Sequence, residues 1–456
     1  MFRPFAIVAA ALAVLLAAAD VHAQGTKKPN IIVILADDLG YADIGAFGGK
    51  DIPTPNIDSI AKNGIRCPQG YVSGPYCSPT RAGLMTGRYQ QRFGHEFNEG
   101  GVAKTTFGLP LAETTFAQRM RALGYVTAAI GKWHLGASPE FRPTKRGFDE
   151  FYGTLANTPF FNPNLLDSRV GPDPKKVEDA AFYTTDQYAD RAVDYIKRNK
   201  DNPFFLYLPF NACHVPNQAT QKYLNRFTDI KDKDRRGYAA MMSALDDAVG
   251  RILASVREHG LEENTLIVFL SDNGGPMTKM GPNGSLNGIL RGQKGDVWEG
   301  GVRVPFLIQW KGKLPAGKDF AFPVIQLDLL ATALGAAGEK AKAEWKLDGV
   351  NLLPYLEGKN ATAPHETLYW RFGPQWAIRQ GDWKLAQGYD YDAKDQGPVH
   401  QTKVTSVMLF NLKDDPGEKK DLSAKEPDRV RTMRATWETW NRELAAPAWV
   451  PMPKKK

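Results

Sequence analysis

Residues 30–38, NIIVILADD, decide the fold. From Ile31 to Ala36 every residue is aliphatic, so neither alternating face is made for water, and a strand of this kind is buried on both sides. The run then breaks into two carboxylates, Asp37 and Asp38. Three later segments share the habit of an apolar run ending in polar residues: AAIGKWH at 128–134, LPFNACH at 208–214 and FLSDNGG at 269–275. Helical patterns lie between them. TPNIDSIAKNG has Thr54 as cap, Pro55 in the first turn and Gly64 as stop; LAETTFAQRMRALGY (111–125), Thr184 to Arg198 and Gly237 to Glu258 follow. Helices alternating with fully apolar strands predict an α/β fold, with a large mostly parallel central sheet flanked by helices. The carboxyl ends of such strands share one edge, where sites form. That brings Asp37, Asp38, Lys132, His134, His214, Asp272 and Asn273 to one rim, however far apart they lie in sequence.

Composition changes after about residue 350, where short aromatic pieces, ETLYWRF, WAIRQ, DWKLAQ and VMLFNL, alternate with polar turns. They predict a small antiparallel sheet. A final helix from Pro427 to about Leu444 packs on it through the stripe Val430, Met433, Trp437, Trp440 and Leu444. Tyr369, Trp370, Trp376 and Tyr389 are open to two readings, a sugar subsite or the packing of this sheet. The expected division is a signal peptide over 1–23, a catalytic α/β domain over 24–355 and a smaller C-terminal α+β subdomain over 356–456, with the final PKKK a solvated tail.

The leader reading rests on Arg3, the apolar run Phe5 to Ala19 and the small-residue site Val21-His22-Ala23. The run is short for a membrane span, so the expectation is an exported protein, periplasmic or extracellular, with no stable membrane insertion. The formal charge of +8 comes without a basic arm or interleaved aromatics. This excludes nucleic acid as the expected partner and is compatible with an anionic substrate. Export also makes the three cysteines, Cys67, Cys77 and Cys213, an odd set. A Cys67–Cys77 bridge is one option, and any pairing leaves a thiol over.

Three rim carboxylates, Asp37, Asp38 and Asp272, with the amide oxygen of Asn273, form an all-oxygen donor set suited to Ca²⁺, or to Mg²⁺. Helix and turn capping is the other use of such residues. Lys132 and His134, two apart in an extended segment, fall on one side with Trp133 on the other, a pair able to hold an anion and move a proton. His214 and Lys294 are single residues at loops, and the glycines around Lys294 (Arg291-Gly-Gln-Lys-Gly295, then Gly300-Gly301) allow close approach without forming a nucleotide-binding pattern. Cys77 opens a helical segment, where an anion or nucleophile is favoured. Yet a soft thiolate mismatches a hard cation. The site calls for oxygen where the gene supplies sulfur.

Cys77-Ser78-Pro79-Thr80-Arg81, continuing AGLMTGR to Arg88, and Gly124-Tyr125-Val126-Thr127 running on to Gly131-Lys132-Trp133-His134, are the residues that carry a resemblance. The chain resembles the type I sulfatases, of the arylsulfatase and N-acetylgalactosamine-6-sulfatase kind, in the alkaline-phosphatase-like superfamily, from about Asn30 onward. The resemblance implies that a formylglycine-generating enzyme converts Cys77 to formylglycine (3-oxoalanine), whose hydrate is an oxygen nucleophile. It implies Ca²⁺ held by Asp37, Asp38, Asp272, Asn273 and the modified Cys77, with Arg81 and Lys132 holding the hydrate. It further implies attack on sulfur with a sulfated-enzyme intermediate, His134 removing a proton as sulfate is expelled, and His214 and Lys294 binding sulfate oxygens, His214 assisting the leaving group. The implied reaction is hydrolysis of sulfate esters on sulfated carbohydrates and small aryl sulfates. Phosphodiester or phosphonate ester hydrolysis at the same site, and an inactive sulfated-glycan-binding protein, are the alternatives. The sequence departs from the family where a Ser-His pair is expected after Gly147-Phe148-Asp149. Asn157 and Thr158 stand there instead.

Overall fold

The computed structural model describes residues 28–99, 107–277, 283–390 and 403–450. The expected leader over 1–23 and the PKKK tail lie outside the described residues.

The run that opened the sequence reading forms the strand Asn30–Ala36, buried along its whole length. It pairs in parallel with Phe204–Pro209 on one side and Thr265–Ser271 on the other. It is therefore an interior strand of a ten-stranded sheet. From edge to edge the order is Lys318–Asp319, Ile65–Arg66, Phe306–Gln309, Thr265–Ser271, Asn30–Ala36, Phe204–Pro209, Val126–Lys132, Glu150–Thr154, Asn164–Asp167 and Lys175–Lys176. The five strands from Thr265–Ser271 to Glu150–Thr154 run parallel, and antiparallel pairing enters only beside them.

Alternation along the strands sends side chains to two cores. Ile32, Ile34, Leu206, Leu208, Ile267 and Phe269 pack on one face under the helices Thr184–Arg198 and Lys233–Glu258. Ile31, Val33, Leu35, Phe205, Tyr207 and Val268 pack on the other under Cys77–Thr86, Phe116–Ala122 and Asp328–Ala336. Both faces lose water, which is why these strands carry no polar side.

Helix ends differ in detail from the local reading. Thr54 occupies the cap position of Pro55–Lys62 but makes no side-chain cap bond, and its hydroxyl accepts from the Gly45 N–H at 2.9 Å instead. The free N–H groups of Asn56 and Ile57 are met by Asp246, at 3.1 and 2.8 Å, from the long helix. Thr115 and Gln118 form a reciprocal capping box, so the helix expected over 111–125 is confined to Phe116–Ala122.

The small sheet is a four-stranded antiparallel meander, Thr367–Phe372, Gln375–Gln380, Trp383–Gln387 and Met408–Asn411. The helix Pro427–Asn441 lies across it, with Met433 against Trp376, Ile378, Leu385 and Leu409. Its other face joins the main body. Trp370, Phe372 and Phe410 share a core with Tyr71, Tyr89 and Trp298. Among the described residues no helix is long and apolar enough to cross a membrane.

Candidate active site

Parallel strands deliver their carboxyl ends to one edge, and here that edge gathers the rim. Asp37 and Asp38 follow Asn30–Ala36, Lys132 ends Val126–Lys132, His214 follows Phe204–Pro209, and Asp272 and Asn273 follow Thr265–Ser271. Backbone bonds lock the ends together: Asp37 N–H to Ala212 O at 2.8 Å, Cys213 N–H to Asp37 O at 2.6 Å, and Asp272 N–H to Ala36 O at 3.1 Å. Glycine permits two close passages. A β-carbon on Gly131, at φ +133°, would stand 2.0 Å from Pro209 O, and one on Gly274 would stand 1.7 Å from Gly300 O. The second lays the Lys294 loop against Asn273.

One ligand atom each from Asp37, Asp38, Cys77 and Asp272 lies within 4.8 Å of all the others, in a fully buried cluster. Three cations stand among the three carboxylates. Lys132 Nζ contacts Asp37, Lys294 Nζ is 2.7 Å from Asp38 Oδ1, and Arg81 donates to Asp272 Oδ2 from Nε at 3.1 Å and Nη2 at 2.7 Å. Arg81 also spans to the Lys132 carbonyl, at 2.7 Å, tying the Cys77 helix to the neighbouring strand. Burial would push Asp37 up, but Lys132, His214, Arg81 and Lys294 together hold it well below the usual carboxylate range. Asp272 goes the other way, to about 7, because burial and the Asp37 carboxylate outweigh Arg81. Despite its burial, Lys294 is raised well above the ordinary lysine range by the Asp38 carboxylate.

Cys77 is the first residue of the ten-residue helix Cys77–Thr86, every residue of which is buried. Its Sγ lies 3.5 Å from Asp37 Oδ1, and burial pushes the thiol up to about 12, which disfavours the nucleophilic thiolate. All three cysteines are free and buried, so Cys67 and Cys77 form no bridge.

The residues present fit a hard dication. Asn273 Nδ2 donates to Asp38 Oδ1 at 2.7 Å and to Gly274 O at 2.9 Å, while among the described residues its buried Oδ1 has no hydrogen-bond partner. An orphaned buried acceptor beside three carboxylates is what an oxygen-preferring cation satisfies. Three carboxylates already balanced by three cations would become net positive with it, a field suited to an anionic ester.

The two histidines are held differently. His214 Nδ1 is 2.6 Å from Val215 O; a carbonyl only accepts, so Nδ1 carries the proton. Its Nε2 then faces Asp38 Oδ2 at 3.7 Å. Burial and then Lys294 lower its pKa. His134 is lowered well below the imidazole range, by burial first and then by Lys132 and Arg81, and among the described residues its Nδ1 has no partner. Its φ is +60° and that of Asp38 is +63°, so two rim residues sit in the left-handed region that non-glycine residues rarely adopt. The extended alternation expected for Lys132 and His134 therefore ends at Trp133, whose side chain is buried with Nε1 donating to Phe141 O at 2.9 Å.

The family model described as Sulfatase matches residues 29–339. The chain belongs to the sulfatase family. The steryl-sulfatase of Mus musculus is 30% identical, covering 93% of this chain and 84% of that protein. The N-acetylgalactosamine-6-sulfatase of Canis lupus familiaris is 32% identical, covering 90% of this chain and 85% of that one. Among solved structures, Ps i-CgsB is 36% identical with a TM-score of 0.83, covering 93% of this chain and 95% of that one, and it has also been solved in complex with k-i-k-neocarrahexaose. The sulfatase is thus a hydrolase of sulfuric esters, of the type I, alkaline-phosphatase-like kind.

In this sulfatase Asn157 is exposed and Thr158 half-buried, and among the described residues neither bonds to the rim. Of the aromatics left open by sequence, Trp370 and Trp376 are packing residues, and Tyr369 stacks on Trp440 at 4.8 Å between centroids. The Tyr389 carbonyl accepts from Trp298 Nε1 at 3.1 Å. Sequence reading missed the supports of the site. Asn283 Nδ2 donates to Cys213 O at 2.9 Å and Asp38 O at 3.2 Å, and Gln375 Nε2 of the small sheet donates at 2.7 Å to Gly295 O, next to Lys294. No local pattern marks either residue.

Proposed function

We propose that this sulfatase is an exported, Ca²⁺-dependent enzyme acting on sulfated carbohydrates, and on small aryl sulfates as surrogates, after a formylglycine-generating enzyme has matured Cys77. The proposed catalytic domain is 24–355 and the C-terminal subdomain 356–456. The observation that carries the reading is Cys77 itself: a free, buried thiol at a helix N-terminus, inside a cluster of hard oxygen donors, where sulfur is the mismatched atom. The carbohydrate class is supported by two relatives, one named for an amino sugar sulfate and one solved with a neocarrahexaose.

Asp37, Asp38, Asp272, Asn273 and residue 77 would hold the cation. Hydrated formylglycine at position 77 supplies an oxygen nucleophile, and the cation supplies positive charge beside it. The remaining work falls to side chains already in place. Arg81 fixes Asp272 and the Lys132 carbonyl, keeping residue 77 and Lys132 in register. Lys132 and Lys294 present fixed positive charge to the sulfuryl oxygens, in a buried site where each donor is worth far more than in water. His214, with its proton on Nδ1, offers Nε2 to the ester; a bound anion raises its pKa and lets Nε2 donate to the departing oxygen. His134 stays neutral through burial and is set to take up the proton released as sulfate leaves.

The test is peptide mass spectrometry over residues 66–81 of active protein, together with assays on matched sulfate and phosphate esters. Loss of the Cys77 thiol for an aldehyde, with sulfate esters preferred, is the expected result. A retained thiol in fully active protein, or dominant phosphate activity, sinks the proposal. Cys77→Ala is expected to abolish turnover while the protein still folds.

A further inference from the structure

His95 contributes nothing to the cluster of cations and carboxylates, yet it lies one hydroxyl away from the rim. Its Nε2 is 2.6 Å from Ser78 Oγ, and Ser78 Oγ is 2.7 Å from the carbonyl oxygen of His134. A carbonyl only accepts, so the single proton of Ser78 goes to His134, and the Ser78 oxygen accepts from His95 Nε2–H. Burial pushes His95 down to about 3, leaving its ring neutral. A neutral ring donating through Nε2 has a bare Nδ1, and among the described residues His95 Nδ1 makes no hydrogen bond of full geometry, with the Gly108 backbone the group nearest to offering one.

The far end of this chain needs support. His134 holds φ +60°, its N–H donates to Leu155 O at 3.1 Å, and its carbonyl takes the Ser78 proton. Among the described residues Nδ1 of its ring has no hydrogen-bond partner, so these backbone bonds are what fix where the ring begins. His95 is wedged in turn by aromatic rings. Trp449 stands edge-on at 4.7 Å between centroids and Phe107 at 5.6 Å, and Phe107 reaches the His134 ring at 6.3 Å. Trp449 Nε1 donates to Phe97 O at 3.0 Å and Asn98 O at 3.1 Å, while Asn98 Oδ1 accepts from the Ser78 N–H at 2.9 Å. The segment around Trp449 is therefore joined to the residue that follows Cys77.

We propose that Ser78 and His95 are positioning residues that brace His134 in its left-handed conformation, and that Trp449 wedges His95 into that brace. The inference deepens the proposed function and rests on His134 acting at the site. It explains why a buried histidine with no place in the cation cluster has its donor aimed at the hydroxyl beside residue 77.

Two substitutions separate hydrogen bonding from packing. His95→Phe keeps a ring against Trp449 and Phe107 but removes the donor; His95→Gln keeps a donor near the Nε2 position but loses the ring. With matured protein, the expected effect of His95→Phe on 4-nitrophenyl sulfate is about a tenfold fall in kcat with KM within about twofold, the size of a lost alignment. Hydrogen exchange at the His134 and Leu135 amides should rise about tenfold with the overall unfolding midpoint unchanged. Peptide mass spectrometry should find residue 77 matured as in the unsubstituted protein, and His95→Gln should recover most of the rate. A silent His95→Phe with an impaired His95→Gln overturns the brace in favour of packing. In the unsubstituted protein, ring ¹⁵N spectra should place the His95 proton on Nε2; a proton on Nδ1, turned to the Gly108 backbone, also overturns it. The exchange and tautomer measurements stand even where the protein hydrolyses no sulfate ester, so the brace and the proposed function fail separately.

Discussion

Replacing Lys384 by Met tests how the small sheet is joined to the catalytic loops. Lys384 Nζ is 2.9 Å from Glu299 Oε1 and 2.9 Å from Glu418 Oε1, and all three side chains are fully buried. Glu299 opens a short helix just beyond the Lys294 loop, and its N–H donates to Glu418 Oε2 at 2.7 Å. Methionine keeps most of the stem volume and deletes the charge, stranding two carboxylates away from water. Removing one partner of a buried ion pair costs about 3–5 kcal/mol. Two contacts put the loss at the low end. Glu299 keeps the Tyr71 hydroxyl at 2.6 Å and Arg303 at 3.4 Å, and Glu418, pushed up to about 7 by burial, takes a proton readily. The expected loss is about 3 kcal/mol, read from urea unfolding followed by tryptophan fluorescence. Trp370, 5.7 Å from Lys384 Nζ, is a reporter in place. Adding Glu418→Gln should recover part of the loss only well above pH 7, where Glu418 would otherwise be a stranded carboxylate. A Lys384→Met protein within about 0.5 kcal/mol of the parent refutes the reasoning.

Glu418 alone predicts a pH slope: folded, it keeps a proton up to about 7 that the unfolded chain gives up near 4.5. Its contribution is complete below pH 4.5 and lost as pH rises through 7, about 3 kcal/mol in all, and Glu418→Gln should make the slope shallower in unfolding series between pH 4.5 and 8, the part that remains belonging to groups such as Asp272. Chelation should lower both activity and the unfolding midpoint. Calcium at about 100 times its Kd should restore about 2.7 kcal/mol, and Asn273→Ala should weaken that response. Trp437 packs on Trp376 with the rings tilted by 31° and 4.6 Å between centroids, and donates to Trp370 O at 3.1 Å; Trp437→Ala should cost about 2 kcal/mol in the same unfolding assay, part of the full cost for a wholly buried tryptophan because Trp437 is half-buried.

Much of this was legible in the sequence because the relevant physics is local or repeats along the chain. A strand buried on both faces has to be apolar throughout, as Ile31 to Ala36 is, and parallel strands have to deliver their polar ends to one edge. Asp37, Asp38, Lys132, His214, Asp272 and Asn273 followed from those two facts. The motif around Cys77 then marked which helix N-terminus meets that edge. The long helices were legible for the same reason, with Thr184–Arg198 observed over the expected residues.

What escaped the sequence depends on partners far away in the chain. Thr54 looks like a cap, yet its hydroxyl goes to Gly45 while Asp246, 189 residues beyond Ile57, meets the helix N–H groups. Lys132 and His134 look like one face of a strand, but a left-handed turn at His134 breaks the alternation. Tyr369, Trp370 and Trp376 look as fit for a sugar as for a core, and only the helix Pro427–Asn441 and the core beneath the small sheet decide for packing. The sequence by itself determined the layered sheet, the rim and the chemistry of its donors, because burial and strand direction act on each segment separately. Tertiary structure alone decided the pairing of each carboxylate with its cation, the orphaned Asn273 oxygen and the chain from Trp449 through His95 and Ser78 to His134. Those are matters of a few ångströms between residues that no local rule brings together.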